Sequence, residues 1–234
     1  MGFVMRQVFQ AAFLGALVAV STVSAVQAQE AIRPSWSGFY TGVGAGVGFN
    51  KTSTSFVAAG TSFDASGGAS AVAGGQFGYN MQLGRFVLGA EAAFVWGHPD
   101  GSTQCPATVP GSAQCSGRVS NVAFVTGRAG YAFDVPGNLL AYVKGGLANA
   151  DVGTSSSGGT FGFDDRRNGW ALGGGAEWKI AQHMSVGVEY MHADFGNVTF
   201  NTTPYGTMTT HPSYDSVMAR LNFTFGGREA PPLK

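Results

Sequence analysis

The stretch Val217-Met218-Ala219-Arg220-Leu221-Asn222-Phe223-Thr224-Phe225 places Val217, Ala219, Leu221, Phe223 and Phe225 on one face of an extended chain and Arg220 on the other. Successive side chains of a β-strand point to opposite sides, so a two-residue period reads as a strand with one apolar face. The same period recurs along the chain. Phe39, Val43, Ala45, Val47 and Phe49 share a face, and Gly42, Gly44, Gly46 and Gly48 share the opposite one. Phe86, Leu88, Ala90, Ala92, Phe94 and Trp96 stand opposite Glu91, and Val125, Ala129, Tyr131 and Phe133 stand opposite Arg128. Val143 and Leu147 oppose Lys144; Trp170, Leu172 and Trp178 oppose Glu177; Val186, Val188 and Tyr190 oppose Glu189. Six mid-strand charges therefore fall on the side away from the apolar residues. Random phasing would leave about half of them among the apolar groups, where an Arg or Lys at a bilayer midplane costs about 2–4 kcal/mol.

Composition names the solvent of the apolar face. Charged residues are only 11% of the 234, against about a quarter in soluble domains. Much of the outer surface therefore does not face water. Beyond the N-terminal segment no run of about 20 apolar residues could form a spanning helix. Lipid tolerates no unpaired backbone, which leaves a closed barrel. Strands are predicted at about 37–50, 68–80, 86–97, 118–133, 139–152, 168–179, 185–195 and 214–225. The connections alternate. Asn80–Arg85, Asp134–Asn138 and Ile180–Met184 are short, while Lys51–Gly67, His98–Gly117, Gly153–Arg167 and Gly196–Ser213 are long and rich in small polar residues. The expected fold is all-β: an eight-stranded antiparallel up-and-down transmembrane β-barrel of the Gram-negative cell outer membrane, with tight periplasmic turns, longer extracellular loops and both chain ends periplasmic. Aromatic belts are expected at Trp36, Phe39, Tyr79, Phe86, Tyr131, Phe133, Trp178, Phe223 and Phe225 near one rim, and at Phe49, Phe94, Trp96, Trp170 and Tyr214 near the other.

Residues 1–28 read as a signal peptide, with Arg6 before the apolar Ala11 to Val20 and a small-residue site at Val26-Gln27-Ala28. The barrel is assigned to 29–225, and 226–234, with Pro231-Pro232, to a short extended periplasmic tail. Cys105 and Cys115 lie close together in a loop with no His or acidic ligands nearby, and an oxidising periplasm favours a bridge between them. A narrow eight-stranded barrel is filled by its own side chains. The three inward acids Glu91, Glu177 and Glu189 balance the three inward bases Arg128, Lys144 and Arg220. They are expected to form an ion-pair network that plugs the lumen, since buried charges must be paired to be tolerated. The zero net charge argues against nucleic acid as a partner. No catalytic constellation, metal ligand set or cofactor motif stands out, and His98, His183, His192 and His211 read as surface residues. The regular spacing of the first strand's glycines is not a dinucleotide fingerprint.

The residues also carry a resemblance. Trp36-Ser37-Gly38-Phe39-Tyr40, Gly127-Arg128-Ala129-Gly130-Tyr131-Ala132-Phe133-Asp134 and Ala141-Tyr142-Val143-Lys144-Gly145-Gly146-Leu147-Ala148 resemble strands of the alphaproteobacterial Omp25/Omp31-type outer-membrane proteins. Gly169-Trp170 through Trp178 and Val188-Glu189-Tyr190 through Gly196 resemble further strands of that family. Val217 to Phe225, ending on Phe223 and Phe225, resembles its terminal assembly signal, read by the barrel-insertion machinery. Such chains end on that aromatic, whereas this one continues to Lys234. The resemblance implies a structural protein of the envelope, in contact with outer-membrane lipids and lipopolysaccharide. It also admits a small-solute porin, or a surface protein that binds haem or a host partner.

Overall fold

The computed structural model describes residues 35–56, 60–106, 114–133, 138–157, 159, 162–202 and 206–225. The expected signal segment, the expected tail and most of the turn at Asp134–Asn138 lie outside the described residues. Long strands run at β1 (Gly38–Phe56), β3 (Ser70–Leu83), β4 (Phe86–Trp96), β6 (Gln114–Phe133), β7 (Leu139–Ser156), β8 (Gly162–Lys179), β9 (Met184–Asp194) and β11 (Gly206–Phe225). Between them lie the short strands β2 (Thr61–Ser66), β5 (Asp100–Gln104) and β10 (Val198–Thr202). Each long strand pairs antiparallel with the next in the chain, and β11 returns to β1 from Phe39↔Phe225 to Phe56↔Met208. The ring is closed by eight strands, so no edge is left for lipid to solvate.

At one rim the connections are tight. β3 and β4 meet in a hairpin whose turn is Gly84-Arg85 alone; Asn80 to Leu83, expected as part of the connection, extend β3 and pair with Gly89 to Phe86. Gly84 supplies the positive φ (64°) that a two-residue hairpin demands. At the other rim much of the expected loop sequence is strand. β6 and β11 run for 20 residues each, about twice what crosses a bilayer. The long loops are therefore in large part hairpin extensions of the wall. Their Ser, Thr and Asn residues have no apolar period because neither face meets lipid. Cross-strand backbone bonds and pairs such as Thr54–Thr210 hold them instead.

The outward face is apolar from the short-turn rim up to a ring near Phe49, Trp96, Leu147 and Trp170, and polar beyond it. Phe39, Tyr79, Phe86, Phe133, Trp178, Phe223 and Phe225 are exposed in the lower belt, and Phe49, Trp96 and Trp170 in the upper one. Trp36 and Tyr214 depart from expectation: both are buried, at 2% and 1% exposure. Their even numbering puts them in phase with Tyr40 and Arg220, on the inward side, and phase overrides nearness to a strand end.

The lumen is filled in layers. Trp36, Val87, Ala132, Leu140 and Tyr142 close the short-turn end. A charged layer follows, and above it an apolar layer containing Val95, Phe124, Met191 and Met218 and continuing through Val119, Val152 and Tyr214. Asn50, Thr52, Thr54 and Thr210 come next, all buried. Phe56, Phe63, Met208 and the two cysteines cap the far end.

Candidate functional site

All six charged residues named from the sequence are buried, between 3% and 6% exposed. They come from six wall strands: Glu91 from β4, Arg128 from β6, Lys144 from β7, Glu177 from β8, Glu189 from β9 and Arg220 from β11. Four of them close a ring. Lys144 Nζ lies 2.5 Å from Glu91 Oε1 and 2.8 Å from Glu189 Oε2. Arg220 Nη2 lies 2.9 Å from Glu91 Oε1, and its Nη1 also meets Glu189 Oε2. Each acid is held by both bases and each base by both acids, so the four charges cancel within the tetrad. Arg128 and Glu177 form a separate pair at 2.9 Å, and Ser185 Oγ donates to the second oxygen of Glu177 at 3.1 Å.

Two tyrosines join these units. Tyr40 Oη donates to Glu91 Oε2 at 2.7 Å and accepts from Arg128 Nη1 at 3.2 Å, which links the pair to the tetrad. Tyr142 Oη donates to Glu189 Oε2 at 2.8 Å. The Arg128 guanidinium also lies 3.9 Å from the centroid of the Tyr142 ring, a cation–π contact. Each ring needs a glycine beside it. Tyr40 stands opposite Gly78, where a Cβ would come within 2.6 Å of the hydroxyl. Tyr142 stands opposite Gly175, where a Cβ would come within 2.8 Å. Such aromatic–glycine pairs let a ring lie flat across the sheet. Reading by strand phase alone missed both tyrosines because neither carries a formal charge. The available signal was phase within a strand: Tyr142 is two residues from the inward Lys144, and Tyr40 is in step with Gly42 to Gly48 on the small-residue face of β1.

Lys179 is a seventh buried charge, and it too escaped notice because it ends its strand. Its Nζ sits 4.8 Å from the Trp36 ring centroid, on the floor of the lumen. Immediately above the tetrad lies a cavity of about 20 Å³, lined by Gln76, Lys144, Glu189, Ser216, Arg220 and apolar neighbours. That is room for one water-sized group. The arrangement can neutralise charge and fix the cross-section of the barrel. It offers no cleft to a substrate at that level.

The remaining sequence candidates fall elsewhere. Cys105 and Cys115 are joined by a disulfide at the long-loop rim, where Thr103 of β5 faces Cys115 of β6. His192 bonds Asp215 at 2.8 Å and His211 bonds Asp194 at 2.9 Å, both on the outer surface across β9 and β11. Among the described residues no group of three or more His, Cys, Asp or Glu side chains could hold a metal ion. In Asp164-Asp165-Arg166-Arg167, Asp164 meets Arg118 at 2.7 Å on the outward face, while Arg167 meets Asp165 at 2.8 Å in the inward phase, opposite Ala150 and Val152. Phe223 and Phe225 lie on the last strand, paired with Thr41 and Phe39, and face outward.

Comparison with known proteins agrees with this architecture. Residues 16–213 match the model of the outer membrane protein beta-barrel domain family. The chain is 30% identical over 93% of its length to the 31 kDa outer-membrane immunogenic protein of Brucella melitensis, of which the match covers 95%. It is 29% identical over 71% of its length to the 25 kDa outer-membrane immunogenic protein of Brucella abortus, covering 69% of that protein. Among solved structures, the outer membrane protein OprG of Pseudomonas aeruginosa superposes with a TM-score of 0.53 at 12% identity, over 82% of this chain and 97% of that one. At that identity the likeness speaks for the fold alone. A closed ring with an apolar exterior, the family match and the Brucella relatives together show that this chain belongs to the outer-membrane β-barrel family, in the Omp25/Omp31 group.

Proposed function

We propose that the protein is a structural, non-catalytic element of the outer membrane whose lumen is shut by its own side chains. The observation that carries this reading is the tetrad of Glu91, Lys144, Glu189 and Arg220, buried at mid-barrel with all four members mutually paired. A conducting pore needs charged or carbonyl groups that exchange partners with a passing ion. Here each base is already committed to two acids. The layer above, with Phe124, Met191 and Met218, narrows the interior to a cavity for one water-sized group.

On this reading the tight turns face the periplasm, in keeping with barrels of this kind, and the extended hairpins stand outside the cell. The polar collar at Lys51, His192 and Asp215 then lies at the level of the lipopolysaccharide headgroups. Val217 to Phe225, with Phe223 and Phe225, serves as the segment that the barrel-assembly machinery engages. Contact between a rigid exterior and the surrounding lipid contributes to envelope integrity. Recording in planar bilayers tests the closed lumen: the refolded protein is expected to give no stable current steps. Regular nanosiemens-scale steps from wild-type protein would establish a small-solute porin instead.

A further inference from the structure

The two cysteines take part in more than their own hairpin. Cys115 is fully buried and Cys105 nearly so. Their neighbours come from other hairpins at the same rim. Phe56 ends β1, Phe63 lies in β2 and Met208 lies in β11, all buried in one cluster with the disulfide. Phe200 of β10 packs on that cluster and stacks on Phe163 of β8, with ring centroids 4.7 Å apart and planes 9° from parallel. Gly67, just after β2, bridges to Gly101 of β5, which brings the backbones of two hairpins together.

We propose that the Cys105–Cys115 bridge is the centre of a redox-sensitive clasp that ties the β5–β6 hairpin to the β1–β2 and β10–β11 hairpins, which the β1–β11 ladder already joins, over the barrel mouth. Each of these hairpins is too short to be stable alone. The cluster they share is apolar and centred on the sulfurs. Reduction would follow ordinary exchange: a thiolate of an external dithiol attacks one sulfur and forms a mixed disulfide. That attack breaks the bridge and frees the other cysteine as a thiolate; the reductant's second thiolate then closes it into a ring and releases the remaining cysteine, and both are protonated to thiols. Two electrons pass from the dithiol to the bridge, and the protons end on the cysteine sulfurs. The attack needs an open line to a sulfur, and the buried bridge offers none while the clasp is shut. Reduction therefore proceeds through local opening, and its rate reports how firmly the three hairpins hold together.

The test uses the full-length barrel refolded in detergent or lipid vesicles, exposed to dithiothreitol, with new thiols counted by alkylation and mass. Phe63→Ala and Met208→Ala alter hairpins that hold neither cysteine. Each is expected to speed reduction about tenfold or more, because a cavity in the shared cluster lowers the cost of opening. Ser55→Ala, an exposed change at the end of β1, should reduce like wild type. Amide exchange gives a second readout that does not depend on those variants folding. In the reduced protein, or in a Cys105→Ser/Cys115→Ser double variant, exchange should rise in 61–66 and 206–210 together with 100–104, while 217–225 stays protected. Wild-type reduction rates in both Phe63→Ala and Met208→Ala, or loosening confined to the cysteine hairpin, would overturn the proposal. A conducting lumen would not touch it, since the clasp is read through sulfur chemistry and exchange alone.

Discussion

The half of the barrel next to the short turns and the half beyond the upper belt are built from the same strands with opposite polarity. Along β1, Phe39, Val43 and Val47 face outward, but Lys51, Ser53 and Ser55 take the same outward positions further on. Along β11, Phe225, Phe223, Leu221 and Val217 give way to Asp215, Ser213 and His211. Inside, the order reverses. Lys144 and Arg220 occupy the lower lumen, and Val119, Val152, Phe56 and Met208 occupy the upper. The lower half is a membrane protein and the upper half is a water-soluble barrel, continuous in hydrogen bonding. The strand is indifferent to its surroundings; only the side chains record which solvent each face meets.

Ion pairs sharpen the contrast. Glu91–Lys144 is shut inside the lower half, whereas Arg118–Asp164 stands half-exposed on the outside of the upper half, at a similar distance. The largest effect is therefore expected from Glu91→Ala, which leaves Lys144 and Arg220 sharing one acid in a dry interior. A loss of about 3–5 kcal/mol is expected on breaking such a buried pair. Urea unfolding from lipid vesicles would measure it, and an unchanged midpoint would show that the tetrad holds nothing together. Next comes the lipid face. Val143→Arg should cost about 2–4 kcal/mol in the same measurement, for a base near the bilayer midplane. Ser155→Arg, on the same strand and the same outward phase, should cost almost nothing. Equal costs at the two sites would abolish the division drawn between the halves. The smallest effect belongs to Arg118→Ala, below about 1 kcal/mol, because an exposed pair is screened by water and salt. A larger loss there would mean the collar is tied together more tightly than its exposure implies.

Much of the lower half was legible in the residues. The alternation around Glu91, Arg128, Lys144, Glu177, Glu189 and Arg220 gave strand positions and inward phase, because lipid punishes each misplaced charge locally. The upper half was read as loop for a related reason. With water outside and a mixed interior, Thr52, Thr54, Ser116 and Thr210 carry no apolar period, and their strand character comes from partners across the sheet. Trp36 and Tyr214 were misplaced when position at a strand end was given more weight than phase.

Residue order alone determined that the wall is two-faced, that eight strands cross, and that the charges point inward, since each of these follows from the period of a single strand and the solvent beside it. Only the closed ring decided that Lys144 and Arg220 would each be shared by Glu91 and Glu189, that Tyr40 and Tyr142 would tie the charges together over Gly78 and Gly175, and that three hairpins would meet at one disulfide. Those contacts join strands far apart in the chain, and the stagger that aligns them exists only once β11 has paired with β1.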